Sequence, residues 1–199
     1  NIIQPKDAKK YTIELSLGPV KANYQPEEAY SLQVKKDLIS LTANSSHGIF
    51  NGLQTLYQLM EDGRFVQGCS IEDYPAYKWR GYMVDVGRNY QSVDLLKQQI
   101  DRMARYKLNV FHFHLAEDIA WRLQIKQYPQ LTAPEFMLRN KGKYYSIEQM
   151  RELIQYCKDK YITLVPEIDM PGHSAAFTRA LGVGMQTEKG FEMVKNIIE

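Results

Sequence analysis

The chain has 199 residues, of which 44% are hydrophobic and 24% charged, and its formal net charge at pH 7 is +2. This is enough apolar sequence for one domain or two small ones. Acidic and basic residues are interleaved, which leaves no basic surface for nucleic acid, and no run of about 18 apolar residues is available to span a membrane. Cys69 and Cys157 show neither metal-ligand spacing nor a disulfide framework, so they do not indicate whether the protein works in a reducing or an oxidising compartment.

Residues 1–75 are predicted to form a small α+β domain. Three segments in which apolar and polar residues alternate are predicted strands: 11–17, 30–34 and 38–43. The second and third of them are close enough to pair as a hairpin. Ser46 is predicted to cap a helix that ends at Gly63. A fourth strand is predicted over 65–71, and Pro75 keeps the linker after it extended.

From residue 79 onward, predicted strands alternate with predicted helices. The strands cover 80–87, 108–115 and 162–166. Ser92 caps the first helix, a capping box from Ser146 to Gln149 opens the second, and a last helix covers 188–198. Strands separated by helices pair in parallel with right-handed crossovers. The second strand is about 30 residues from its helix, which is long for a connector and indicates a functional loop.

Two of these strands end in acids and histidines. His112, His114, Glu117 and Asp118 lie on or after the second strand, and Glu167, Asp169 and His173 lie on or after the third. In parallel α/β proteins the side chains at the carboxyl ends of the strands form the site. We therefore predict a catalytic or binding site at this edge. Three βα units do not close a barrel, so the chain is either a short open sheet or a piece of a longer protein.

Four segments resemble the β-N-acetylhexosaminidases of glycoside hydrolase family 20. They are 47–57, 79–88, 111–118 and 165–173, with further matching residues at 121–122 and 128–131. The resemblance implies an α/β fold: a small non-catalytic α+β domain over 1–75, followed over 76–199 by the first three βα units of a (β/α)8 TIM barrel, incomplete in this chain.

The resemblance implies a glycoside hydrolase that removes terminal, non-reducing β-linked N-acetylhexosamine from glycans with retention. The sugar's own acetamido oxygen acts as the nucleophile. In the family an adjacent Asp-Glu pair after the fourth strand supplies the orienting acid and the general acid. No Asp-Glu dipeptide occurs in this sequence, so the chain alone is expected to be inactive and truncated.

The implied substrate is a glycan, with no cofactor, no metal, no nucleic acid and no membrane span. The implied location is periplasmic or extracellular. The preference for N-acetylglucosamine or N-acetylgalactosamine stays open, as do the linkage and the oligomeric state.

Matched positions give the implied roles of five residues. Arg80 would hydrogen-bond the sugar's hydroxyls, a task that suits a rigid guanidinium fork. One of Glu117 and Asp118 would also contact hydroxyls, and the other would support His173, which tunes the general acid. Asp169 would be the partner of the orienting aspartate. Glu117 stands where the family usually has aspartate.

Four further residues near the strand ends receive lesser roles. Asp85 and Arg88 are interpreted as an internal pair rather than as ligands of the substrate. Glu167 is given a structural role near the site. His114 is either a residue that supports the site from behind or a packed core histidine.

Two other functions compete with this prediction. The His112-x-His114 pair on a strand resembles the metal ligands of amidohydrolase barrels, although only His47 and His173 remain as further imidazoles. Because the general acid is absent from the chain, a non-catalytic sugar-binding or interaction module is the other alternative.

Overall fold

A computed structural model of the chain describes residues 12–60 and 66–198. The chain divides into two compact units, residues 1–80 with 104–107 and residues 81–103 with 108–199. In the part that the structure describes, every helix is too short or too polar to cross a membrane.

The first unit contains a four-stranded sheet and one long helix. Its elements are β1 (Thr12–Leu17), β2 (Tyr30–Val34), β3 (Leu38–Ala43), α1 (Ser46–Leu59) and β4 (Cys69–Asp73). The strand order is β1-β3-β2-β4. The predicted hairpin of β2 and β3 is confirmed, because the two strands pair in antiparallel register. The fourth strand begins at Cys69, later than predicted. Predictions at Tyr11, Gly63 and residue 65 lie outside the described residues.

Helix α1 packs closely on the first sheet through glycine. A Cβ atom on Gly52 would lie 2.3 Å from Cδ1 of Leu41, and one on Gly48 would lie 2.4 Å from the carbonyl oxygen of Ala29. The cap of this helix is Ser45, not the predicted Ser46. Ser45 has the extended backbone that a cap requires, and its hydroxyl accepts from the amide of His47 at 3.0 Å.

The second unit alternates strands and helices. Its elements are β5 (Gly81–Asp85), α2 (Val93–Arg105), β6 (Val110–Ala116), α3 (Ile147–Lys158), β7 (Thr163–Ile168), α4 (Ala175–Leu181) and α5 (Glu188–Ile198). The last two residues of α2 group with the first unit. The sheet order is β5-β6-β7, and both pairings are parallel, as predicted. The short helix α4 was not predicted.

The helix caps of this unit follow from the sequence. Ser92 accepts from the amide of Leu95 at 3.3 Å. Ser146 and Gln149 form the predicted capping box, with Gln149 N donating to Ser146 Oγ at 3.2 Å and Ser146 N to Gln149 Oε1 at 2.9 Å. Cys157 lies fully buried on the inner face of α3, and this burial raises the pKa of its thiol to about 12.

Candidate active site

A buried carboxylate lies at the centre of the polar cluster at the carboxyl ends of the strands. Glu117 directly follows β6, and its side chain is only 3% exposed. Its Oε1 accepts from Nη2 of Arg88 at 2.5 Å and also contacts Nδ1 of His173, while its Oε2 accepts from the amide of Ile119 at 3.2 Å. A buried carboxylate needs such partners. Glu117 therefore holds a cation and an imidazole in one place.

Arg88 also belongs to this cluster, although the sequence had predicted only its pairing with Asp85. Its Nη1 bonds the carboxylate of Asp85, and its Nη2 lies 3.4 Å from Nδ1 of His173. Burial alone would raise the pKa of Asp85, but the hydrogen bonds from Arg88 bring that pKa below its usual range. The guanidinium side chain is 47% exposed. Arg88 is thus paired with Asp85 but not enclosed by it. The exposed part of its guanidinium group is accessible to a ligand.

His173 takes its position from the turn after β7. Its backbone φ is 50°, in the left-handed region that costs free energy for a residue other than glycine. This backbone directs the ring to Glu117, and Nε2 lies 4.0 Å from Oδ2 of Asp169. The structure therefore brings together Asp169, His173 and Glu117 from the ends of two strands.

Asp118 is held differently from Glu117. It is exposed, and its Oδ1 accepts from the amide of Ala175, the first residue of α4, at 2.9 Å. Arg179 of the same helix donates to the backbone oxygen of Asp118 at 2.6 Å. Of the two adjacent acids, Glu117 is the one that contacts His173. Asp118 presents its carboxylate at the surface.

Arg80 belongs to the first compact unit, whereas the cluster belongs to the second. It precedes the first residue of β5 and so lies at the amino end of the strand, whereas the cluster occupies the carboxyl ends. Its Nη2 bonds Glu28 at 2.5 Å, and its Nε donates to the carbonyl oxygen of Lys107 at 2.8 Å. The sugar-binding role of Arg80 stays a prediction, whereas the direction of β5 places Arg88, eight residues later, in the cluster at the carboxyl ends.

Arg122 forms hydrogen bonds both to the long loop between β6 and α3 and to the segment after β5 that carries Arg88. Its side chain is fully buried, and burial lowers the pKa of its guanidinium. Instead of a carboxylate, it bonds five backbone carbonyls at 2.8–3.3 Å: those of Val86, Gly87, Arg139, Asn140 and Lys143. The loop between β6 and α3 and the segment after β5 are thus joined by one side chain.

Within residues 12–60 and 66–198, two groups of side chains have the composition of a cation site. They are His114, Glu167 and Asp169, and Glu117, Asp118 and His173, and within each group the ligand atoms lie within 4.8 Å of one another. In the second group the guanidinium of Arg88 already supplies positive charge to the central carboxylate. In the first, Glu167 already contacts two histidines. That neither group holds a resident metal stays a prediction.

Gly87 leaves the space that Glu117 occupies. A Cβ atom on Gly87 would lie 2.5 Å from Cβ of Glu117, a distance that real Cβ atoms do not adopt. We expect Gly87→Ala to displace Glu117 and to lower the free energy of unfolding by about 1–3 kcal/mol. Denaturant unfolding measures this loss. Gly172→Ala is the control, since a Cβ there meets nothing within 4 Å; equal losses in both variants would contradict the close contact.

Two family models match the chain. The glycosyl hydrolase family 20 catalytic domain matches residues 77–196, and domain 2 of the same family matches residues 2–74. A β-hexosaminidase of Porphyromonas gingivalis is 43% identical over 166 residues, which are 75% of this chain and 21% of that protein. A β-hexosaminidase of Vibrio furnissii is 37% identical over 195 residues, 89% of this chain and 31% of that protein. The chain thus spans about a fifth to a third of these relatives.

Solved structures show the same relationship. The β-N-acetylhexosaminidase of Bacteroides fragilis has a TM-score of 0.81 at 33% identity, covering 94% of this chain and 41% of that one. The family 20 β-N-acetylhexosaminidase of Streptomyces coelicolor has a TM-score of 0.83 at 30% identity, covering 96% of this chain and 45% of that one. These relatives are named hexosaminidases, and the solved ones share the α/β fold of this chain. The chain belongs to glycosyl hydrolase family 20.

Proposed function

We propose that the full-length protein removes terminal, non-reducing β-linked N-acetylhexosamine from glycans, with retention and with the sugar's acetamido group as the nucleophile. The observation that carries this proposal is the buried Glu117, which holds Arg88 and His173 together at the carboxyl ends of parallel strands. Membership of family 20 supports the reaction class.

In this proposal the exposed groups of the cluster bind the sugar. The half-exposed guanidinium of Arg88 and the surface carboxylate of Asp118 are a donor fork and an acceptor, which together suit adjacent hydroxyl groups. Substrate bound in this way is oriented before the bond breaks, which lowers the barrier.

His173 and Asp169 have supporting roles in the proposal. His173 is fixed on Glu117 and presents its Nε2 toward Asp169, so its ring can hydrogen-bond a neighbouring acid and set the proton affinity of that acid. The general acid itself comes from outside residues 1–199, since the chain contains no Asp-Glu pair. Residues 1–199 alone are therefore expected to lack activity.

We also propose that β5, β6 and β7 are the first three strands of a (β/α)8 barrel, and that the domain boundary lies near residue 75. Their parallel order and intervening helices support this reading. A periplasmic or extracellular location is proposed from the family alone, and cell fractionation with an antibody to the chain tests it.

Hydrolysis of aryl glycosides by the full-length protein tests the proposed reaction. We expect release of the aryl group from the N-acetyl-β-glucosaminide or N-acetyl-β-galactosaminide and retention of anomeric configuration in the first product. The plain β-glucoside lacks the acetamido nucleophile and is expected to react far more slowly. Equal rates on the glucoside would rule out the substrate-assisted mechanism, and comparison of the two N-acetyl substrates sets the preference.

A further inference from the structure

Glu167 links two histidines of the neighbouring strand. It lies in β7, opposite His114 of β6 in the strand register. Its Oε1 lies 2.7 Å from Nδ1 of His114, and its Oε2 contacts Nε2 of His112. Each carboxylate oxygen therefore engages a different imidazole.

The three strands carry a row of alternating acid and imidazole. Asp85 of β5, His114 of β6 and Glu167 of β7 are register partners across the sheet. Burial alone would raise the pKa of Glu167, but the hydrogen bond with His114 and the nearby imidazoles bring it below its usual range. At neutral pH this carboxylate is therefore ionised and can only accept hydrogen bonds.

The ionised carboxylate fixes the tautomer of His114. A neutral imidazole facing an acceptor must place its hydrogen on the nitrogen that faces it, here Nδ1. The opposite nitrogen, Nε2, is buried and has no hydrogen-bond partner among the described residues, and His114 is only 5% exposed. A bare lone pair at that position avoids an orphaned N–H donor, which agrees with the tautomer that Glu167 imposes.

The ring of His114 in turn borders His173. The two rings meet edge to face, with centroids 6.2 Å apart and an interplanar angle of 78°. His173 is substantially exposed and has a left-handed backbone, so its ring needs neighbours to hold it on Glu117. The buried His114 is such a neighbour, and its own orientation depends on Glu167.

We propose that Glu167 is a positioning residue: by fixing the tautomer and orientation of His114, it keeps the His173 ring on Glu117. The structural part concerns this chain alone. Its consequence for turnover rests on the proposed function, in which His173 supports the general acid.

Nuclear magnetic resonance of the histidine side chains tests the structural part without any assay of activity. In the unmodified chain at pH 7.5, the ¹⁵N shifts of His114 should be those of the Nδ1–H tautomer. In Glu167→Gln the amide can donate as well as accept, so we expect a mixture of tautomers at His114 and displaced ring signals of His173. Unchanged signals of both rings would overturn the proposal.

Three further variants separate positioning from general disturbance. Glu152→Gln removes another charged glutamate, paired with Lys97, and should leave both rings unchanged. His112→Gln removes the second imidazole on Glu167 but keeps the His114 contact, so the His173 signals should stay near those of the unmodified chain. His114→Asn keeps a donor toward Glu167 but removes the ring edge, so the His173 signals should move. If Glu167→Gln does not fold, His114→Asn decides, and unmoved His173 signals would overturn the proposal.

Kinetics of the full-length protein test the consequence for turnover. For Glu167→Gln we expect kcat to fall about 10- to 100-fold, with KM changed less than about twofold and a displaced pH profile, because only the positioning of the proton-transfer groups is disturbed. An unchanged kcat and pH profile, with the tautomer altered, would overturn the positioning role. If the unmodified protein does not act on N-acetylhexosaminides, the proposed function fails, and the magnetic resonance result still decides the structural part.

Discussion

Replacing Arg122 with methionine is expected to lower the free energy of unfolding by about 3 kcal/mol or more. The variant removes a fully buried side chain that donates to five backbone carbonyls, and each buried group left without a partner costs free energy. Methionine keeps much of the apolar volume, so the loss reports the hydrogen bonds rather than a large cavity. Thermal and denaturant unfolding of the chain measure it.

Arg151→Met is the matched control for this prediction. Arg151 is exposed on α3, and surface substitutions of this kind change stability little, by about 0.5 kcal/mol or less. A loss in Arg122→Met no larger than in the control would show that the carbonyls find other donors. Arg122→Lys should recover only part of the stability, because one ammonium cannot reach carbonyls arranged around a planar fork.

Replacing Glu117 with glutamine in the full-length protein is expected to reduce kcat/KM by about 100-fold. Glutamine has nearly the same shape but no charge, and its amide group can face Arg88 or His173 with a donor instead of an acceptor. Arg88 and His173 would then lose the carboxylate oxygen that both of them contact. Steady-state kinetics on an aryl N-acetyl-β-glucosaminide measure the effect.

The control for Glu117→Gln is Glu192→Gln, an exposed position on α5, which should retain the kinetics of the unmodified protein. The melting temperature of Glu117→Gln is compared at the same time, so that a loss of fold is distinguished from a loss of chemistry. Retained kcat/KM in a folded variant would show that the cluster around Glu117 takes no part in the reaction.

The secondary structure of the second unit could be predicted because its signals are local. The apolar pattern of each strand and helix, and the caps at Ser92 and Ser146, depend on neighbours a few residues away in sequence.

Two local features were not predicted correctly. The cap of α1 in the first unit was predicted one residue too late, because Ser45 and Ser46 offer the same hydroxyl and only the backbone conformation distinguishes them. Helix α4 was missed because its seven residues follow a Pro-Gly turn that indicates a loop.

The candidate site could be predicted in part. The strand-end rule located Glu117, Asp169 and His173, since each follows a recognisable strand. The same rule favours Arg88 over Arg80, because the two arginines flank one strand and only the later one lies at its carboxyl end. The resemblance covered both positions, and it assigned the role of binding the sugar to Arg80 rather than to Arg88. The role of Arg122 could not be predicted, because its partners are backbone carbonyls, which carry no sequence signature.

The two cysteines give each unit its own chemical reporter. Cys69 is half-buried in β4 of the first unit, whereas Cys157 is fully buried in α3 of the second, where its thiol has a pKa of about 12. Alkylating reagents attack the thiolate, so Cys157 can react only when α3 has opened. Treatment with one alkylating reagent, followed by mass spectrometry, therefore gives a separate rate of alkylation for each cysteine without any substitution. The rate at Cys157 measures how often α3 opens in the second unit.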